Sequence, residues 1–241
     1  MTLVCVTKGV PPDVIQQALA LGVIDVGENR VQEAHAKQQA AGFKLQASGI
    51  SMQPVAWGLQ RVRWHLVGHL QRNKVKDAVE LFDVIHSLDS ERLAEELERQ
   101  AAKRRVQGSR FQVQGPALLP LNLQPLEVFI QVNISGETTK FGCSSEETSA
   151  LARTVMHLPH LRLKGLMTLA PFAEDPEQAR PHFRRLRQLR DEVAVACSLQ
   201  PVACSLSMGM SQDFEVAIEE GADVVRIGTA IFGPRTVNRE P

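Results

Sequence analysis

Lys8 closes a short β-branched run, Leu3 to Thr7, at the start of the chain. An amine at the end of a strand can form a Schiff base with an aldehyde once deprotonated, a state that burial and nearby positive charge favour. Taken by itself, Lys8 reads equally well as a surface lysine beside a turn. Near the other end, the segments SMGMSQD and RIGTAIFG each follow a strand-like run. There Gly209 and Gly228 permit close backbone approach, while Ser211 and Thr229 supply hydroxyls. Such loops bind phosphate through backbone N–H groups and the start of a short helix. Arg226 stands among Val224, Val225 and Ile227, and an arginine in an apolar strand needs a partner. A ring nitrogen, a phosphate or an acidic side chain would serve. Asn29 follows the second strand-like run, where its amide could bind a ligand oxygen or cap the next helix. A strand-end amine beside a phosphate-cradling loop points to a lysine that holds a phosphorylated aldehyde.

These groups can meet only if the first and last strands are neighbours, as in a closed barrel whose C-terminal strand ends share one mouth. The pattern supports that arrangement. Strands are expected at Leu3 to Thr7, Val23 to Val26, Val62 to Val67, Asp83 to His86, Leu126 to Asn133, Leu161 to Leu166, Val202 to Ser207 and Asp223 to Ile227. A Gly27-Glu28-Asn29 turn is expected after the second. Helices alternate with the strands. One opens at Pro11-Pro12-Asp13 and ends near Gly22, and a polar one runs towards Ala41. Another follows Ser90, with Glu95 and Arg99 as an i,i+4 pair. Asp175-Pro176-Glu177-Gln178 resembles a capping box that starts a basic helix through Arg190. Eight strands in 241 residues fit one α/β domain, a (β/α)8 TIM-like barrel over residues 1–241. Segments 42–61 and 107–124 contain Gly and Pro, lack periodicity and read as surface loops.

Composition narrows the function. Acidic and basic residues balance at 27 each, which argues against nucleic acid or an anionic membrane as the partner. The four cysteines have no CxxC spacing, so neither a zinc site nor a disulfide framework is expected. His65 and His69 are four apart on a strand-to-loop segment, a poor metal geometry. The stretch His182 to Arg190 reads as a solvated helix face. With no transmembrane-length apolar run and no signal-like N-terminus, a reduced cytoplasmic protein is expected. Tyrosine is absent, which excludes any mechanism that draws a tyrosine acid or base from this chain.

The segments VCVTKG, VGENRVQEA, WHLVGHLQRNK, VNISGETTKFG, LKGLMTLA and LSMGMSQDFEVAIEEGADVVRIGTAIFG span nearly the whole chain. Together they resemble the YggS/PROSC family of pyridoxal phosphate (PLP) homeostasis proteins. The resemblance implies a fold-type III barrel like the N-terminal domain of alanine racemase, monomeric, with PLP as cofactor. It places PLP on Lys8 as a Schiff base and Asn29 near the ring. Ser211, Gly228 and Thr229 match phosphate-binding positions, Met210 lines the site, and Arg226 faces the pyridine nitrogen. It also implies a role in vitamin B6, amino-acid and keto-acid homeostasis, with PLP-dependent apo-enzymes as recipients. Departures from the family lie outside the main cofactor contacts: Arg30 replaces the usual tyrosine, Gly9-Val10 the usual polar residues, and the two long loops look like insertions. The family usually has a helical segment before strand one, whereas here the strand begins almost at Met1, as in a truncated or displaced start.

An arginine does not readily protonate a pyridine nitrogen, so the ring would remain a weak electron sink. Racemases of this fold recruit a tyrosine and a second β domain, and this chain has neither. The expectation is therefore a non-catalytic PLP carrier. The rivals are a PLP enzyme acting on amino acids with His65 or a cysteine as base, and an aldolase-like barrel using Lys8 directly on a sugar phosphate.

Overall fold

Among the described residues ten strands follow in order: β1 (Thr2–Val6), β2 (Asp25–Glu28), β3 (Met52–Val55), β4 (Gly58–Arg61), β5 (Arg63–Leu66), β6 (Val84–Leu88), β7 (Leu126–Gln131), β8 (Leu161–Met167), β9 (Ser205–Ser207) and β10 (Val224–Ile227). Eight of them form a closed barrel in the order β1-β10-β9-β8-β7-β6-β5-β2. Every neighbouring pair is parallel, and Cys5 on β1 registers with Ile227 on one side and Val26 on the other. The first and last strands are therefore neighbours, as the site requires. The computed structural model describes residues 1–40, 52–55, 58–108, 124–137, 140–198 and 203–234, with backbone alone for 52–55, 58–61 and 105–108.

Parallel strands buried on both faces need apolar contact outward and a filled interior. Val26, Trp64, Leu66, Ile85, Val128, Ile130, Leu166, Leu206 and Val225 belong to the large cluster beneath the helices. The alternate positions turn into the barrel, where Val4, Val67, Val84, Phe129, Met167 and Val224 form a second, smaller cluster. The same interior carries buried His65, His86, Ser207 and Arg226. Four of these ten interior residues are polar or charged.

The helices α1 (Pro12–Ala20), α2 (Val31–Ala40), α3 (Val75–Leu81), α4 (Glu91–Gly108), α5 (Ser145–Met156), α6 (Arg180–Ala196), α7 (Phe214–Glu219) and α8 (Thr229–Phe232) connect the strands. Helix α5 starts from a complete capping box. The Ser144 hydroxyl accepts from the Glu147 N–H, and the Glu147 carboxylate accepts from the Ser144 N–H. Ser144→Ala is expected to lower unfolding stability by about 1 kcal/mol in a denaturant titration, with no effect on ligand binding.

Several expected details shift. Strand β2 starts two residues later than Val23, and Gly27 and Glu28 belong to it rather than to a turn. Its register with β5 pairs Gly27 with His65 and Glu28 with Leu66. Segment 42–61 contains the antiparallel hairpin β3–β4, with the rest of it outside the described residues. In the second segment residues 107 and 108 complete α4, and 109–123 lie outside the description. Arg99 pairs with Glu96, three residues away, instead of Glu95. Asp175 caps a 3-10 turn, Pro176–Ala179, through the Glu177 N–H, and α6 begins only at Arg180. The arginines of α6 are held by carboxylates: Arg180 meets Glu177 and Glu219, and Arg180, Arg184 and Arg187 converge on Glu220. The reading as a paired, solvated face stands.

Candidate functional site

A cavity of about 270 Å³ opens at the C-terminal ends of the barrel strands. Asn29, Met210, Ser211, Arg226, Gly228 and Thr229 all line it, with Val6, Val67 and Leu169 as its apolar walls. These are six of the seven residues that the family resemblance assigns to PLP. The seventh, Lys8, borders two adjoining cavities, one shared with Gly228 and Thr229, the other with Asn29. Lys8 is half-buried, and among the described residues its amine makes no hydrogen bond or ion pair.

The chain on either side of Lys8 is tied down by α2. Lys37 donates to the Thr7 carbonyl, to Glu28 Oε1 and to Glu33 Oε1 at 2.5, 2.7 and 2.7 Å. The Gly9 N–H donates to Glu33 at 2.6 Å, and the Thr7 hydroxyl to Glu28 at 2.5 Å. Burial pushes the Glu28 carboxyl above its ordinary value, against the pull of Lys37 and Thr7. Burial also pushes Glu33 up, but the Gly9 N–H, Lys37 and Lys8 together hold it below its ordinary value. Two of these anchors come from the GEN and VQEA segments, so the motif fixes Lys8 as well as supplying Asn29.

Asn29 does not cap α2, since Arg30 immediately precedes the first helical residue and no hydrogen bond from the Asn29 amide is made among the described residues. Its backbone is held against the β5 exit: a Cβ on Gly68 would come within 2.3 Å of the Asn29 carbonyl oxygen. Only glycine fits there.

The Ser211 hydroxyl accepts the Gly228 and Ala230 N–H groups at 3.1 and 3.3 Å. An oxygen that accepts twice keeps its own hydrogen to donate. Gly209 turns the preceding loop at φ +92°, where a Cβ would meet the Ala217 methyl at 2.7 Å. Helix α8 then begins with Thr229 at the cavity edge.

Arg226 is fully buried yet has no carboxylate within ion-pair distance among the described residues, so the salt-bridge alternative does not hold. Nη1 donates to Ser207 Oγ at 2.6 Å and Nη2 to the Thr168 carbonyl at 2.9 Å. Five N–H groups are available to a guanidinium, which leaves donors over for the cavity. Burial pushes its pKa down to about 10, partly offset by Asp213, so it stays charged at neutral pH.

His65 was a candidate base, and the structure removes it. It is buried inside the barrel, bonded to Asp25 at 2.7 Å and His86 at 2.9 Å, away from the mouth. None of the cysteines lines the cavity, and burial pushes Cys5, Cys143 and Cys204 up to about 11. Among the described residues no cluster suited to a metal occurs. Sequence reasoning missed Lys37, Glu33, His86, Ser207 and Asp25. The available signal was polar residues at alternate strand positions, such as Arg63 and His65 or His86, which in a closed barrel must point inward. A second polar depression at the opposite end, about 300 Å³, is lined by Arg63, Glu127, Arg162 and Lys164. Those charges already pair on Glu127, and the strand ends there are the N-terminal ones.

Residues 2–236 match the alanine racemase N-terminal domain family. The pyridoxal phosphate homeostasis protein of Aquifex aeolicus is 40% identical over 229 residues, covering 95% of this chain and 85% of that one. The Escherichia coli K12 protein of the same name is 38% identical over 241 residues, covering 100% and 88%. PipY of Synechococcus elongatus, solved with PLP bound, superposes at a TM-score of 0.75 with 31% identity over 97% of this chain and 92% of that one. Alanine racemase from Corynebacterium glutamicum, at 15% identity and a TM-score of 0.58, covers all of this chain and 58% of its own, and shares the fold. With the barrel, the motif order and full-length relatives in agreement, the chain belongs to the pyridoxal phosphate homeostasis protein family.

Proposed function

We propose that the protein binds PLP at the barrel mouth, with Lys8 as the Schiff-base lysine, and acts in PLP homeostasis without catalytic turnover. One observation carries this: Asn29, Met210, Ser211, Arg226, Gly228 and Thr229 line a single cavity, and Lys8 borders two adjoining cavities that share Asn29, Gly228 and Thr229 with it. The relative solved with PLP bound supports the same reading.

The residues fit such a ligand. The Ser211 hydroxyl, which accepts the Gly228 and Ala230 N–H groups and keeps its own hydrogen, offers a donor to a phosphate, with the Thr229 hydroxyl beside it in the same cavity. Arg226 offers donors and no acceptor, which suits a ring nitrogen that keeps its lone pair. PLP supplies an aldehyde that captures amines reversibly, and an arginine-faced ring limits its use as an electron sink. Met210 and Val67 supply apolar walls, and Asn29 an amide. Release to apo-enzymes through the open mouth, as a monomer in the cytoplasm, completes the proposal.

The first test is the visible absorption spectrum after incubation with PLP, then borohydride reduction and peptide mapping. Wild type is expected to trap a phosphopyridoxyl group on Lys8, and Lys8→Ala to lose both band and adduct. A wild-type protein that stays colourless would sink the proposal.

A PLP enzyme is the second reading, with His69 as its candidate base in place of the buried His65. His69 stacks on Phe141 with ring centroids 3.8 Å apart, lies 3.6 Å from Asp89 and borders the cavity that Lys8 and Asn29 also line. Sustained α-proton exchange from amino acids in deuterated water, lost in His69→Ala and in Lys8→Ala, would favour the enzyme.

A further inference from the structure

Inside the barrel a continuous chain of polar side chains runs from the floor to the mouth. Asp25 Oδ1 lies 2.7 Å from His65 Nε2, and His65 Nδ1 lies 2.9 Å from His86 Nε2. His86 Nδ1 lies 2.9 Å from Ser207 Oγ, which accepts from Arg226 Nη1 at 2.6 Å. All five side chains are buried. We propose that Asp25, His65, His86 and Ser207 form a positioning relay for Arg226, with both histidines locked as neutral Nε2–H tautomers, and that His86 thereby sets how the guanidinium meets the ligand. This deepens the PLP reading, on which its ligand-binding consequence rests.

The direction follows from the two ends. A guanidinium only donates, so Ser207 Oγ must accept from Arg226; with both imidazoles neutral, its single hydrogen then goes to His86 Nδ1. His86 Nδ1 is then bare, and the neutral ring carries its hydrogen on Nε2. That hydrogen goes to His65 Nδ1, so His65 in turn carries its own on Nε2 and donates to Asp25. Asp25 accepts, with Arg63 Nη1 3.6 Å away on its other side. Each hydrogen has an acceptor, and no two donors face each other. With both imidazoles neutral, a chain with these two ends fixed has one arrangement, and it pins Arg226 Nη1 in place while Nη2 holds the Thr168 carbonyl.

The surroundings keep His86 neutral. Burial pushes its pKa well below the ordinary value, and His65, Arg226 and Arg63 act in the same direction. Phe129 covers its face, stacked at 4.5 Å between centroids. Facing charges are Arg63 and Asp25 at the floor and Arg226 above, with Glu127 held by Arg63. A cationic His86 would put a second positive charge beside Arg226 in a dry interior, which is costly.

The relay differs from a merely filled core in what its loss would change. Heteronuclear NMR of the imidazole and guanidinium nitrogens, on protein without PLP, reads it directly. Wild type is expected to show His65 and His86 as neutral Nε2–H tautomers, with sharp, slowly exchanging Arg226 guanidinium N–H signals. In Ser207→Ala and in His86→Phe those Arg226 signals are expected to broaden. Val84→Ala, in the same interior cluster but outside the relay, is expected to leave them sharp. Both relay variants should then bind PLP about tenfold more weakly, roughly the loss of one charge-assisted hydrogen bond, and shift its absorption-against-pH profile. Should His86→Phe fail to fold, Ser207→Ala and the wild-type tautomers still decide the matter. A Nδ1–H tautomer or imidazolium at His86 in neutral solution would overturn the relay, as would Arg226 signals unchanged in Ser207→Ala. If wild type shows the tautomers but takes up no PLP, the cavity reading fails and the relay stands.

Discussion

Replacing Lys37 with Met is expected to destabilise the barrel by about 3–5 kcal/mol, the cost of stranding a buried charge. Lys37 uses its three ammonium hydrogens on the Thr7 carbonyl, Glu28 and Glu33. Its side chain is only 9% exposed, and that of Glu28 is 0%. Without the ammonium, Glu28 keeps the Thr7 hydroxyl alone, and its second oxygen already lacks a partner among the described residues. The pH dependence carries a definite sign. Burial raises the folded-state pKa of Glu28, so between its unfolded and folded values the native state binds more protons. Stability from this group therefore falls as pH rises above the unfolded value. Loss of Lys37 removes the main opposing pull and widens that window. Urea titrations of Lys37→Met should show a smaller deficit near about pH 5 than near about pH 8. The double variant Glu28→Gln, Lys37→Met should recover a large part of the loss, since no charge is then left buried. Equal deficits at both pH values would mean that Glu28 is not the stranded group. PLP affinity should fall as well, because Lys37 and Glu33 anchor the residues on both sides of Lys8.

That cluster also marks where the sequence stopped being legible. Most of the eight barrel strands could be read because short runs rich in Val, Ile and Leu are flanked by a turn or helix start, and the mouth residues because the motif order placed them on consecutive loops. Strand β2 was displaced because Val23-Ile24 is its most apolar pair, while the strand itself reads DVGE. Its polar residues are buried against partners distant in sequence: Asp25 on His65, and Glu28 on Thr7 and Lys37. No local periodicity encodes such pairings. The same holds for His86, which sits in an apolar run and looks like an ordinary strand residue until closure sets it beside Ser207, 121 residues on. Apolar contacts are interchangeable enough to be read as a pattern, whereas a buried hydrogen bond depends on one partner at one distance. The Glu95–Arg99 pairing failed for a smaller reason, since i,i+3 and i,i+4 partners are nearly equivalent on a helix surface.

Ser211→Asp is expected to abolish tight PLP binding while leaving the fold intact and the reactivity of Lys8 towards unphosphorylated pyridoxal unchanged. The Ser211 oxygen already accepts the Gly228 and Ala230 N–H groups at the start of α8. A carboxylate placed there meets the same N–H groups and is favoured by them, so stability should be unchanged or slightly higher. A phosphate brought to this edge of the cavity would face a like charge instead of a hydroxyl donor. Losing one charge-assisted hydrogen bond costs roughly 1.5–3 kcal/mol, and the repulsion adds to it. Affinity for PLP should drop by at least about a hundredfold, or roughly 2.7 kcal/mol. Lys8 lies on the opposite flank of Gly228 and Thr229, in the cavity they share with it, and its amine is untouched by the change. Comparing PLP with pyridoxal by absorption titration therefore separates the two halves of the site. A loss confined to PLP locates the phosphate beside Ser211. A parallel loss for both aldehydes would show that Ser211→Asp perturbs Lys8 itself, and unchanged PLP affinity would place the phosphate elsewhere in the mouth. Thermal melts under PLP give an independent check, because a ligand at a thousand times its Kd adds about 4 kcal/mol of stability. At the same PLP concentration a hundredfold weaker Ser211→Asp should gain only about 1.4 kcal/mol, or less where the loss is larger.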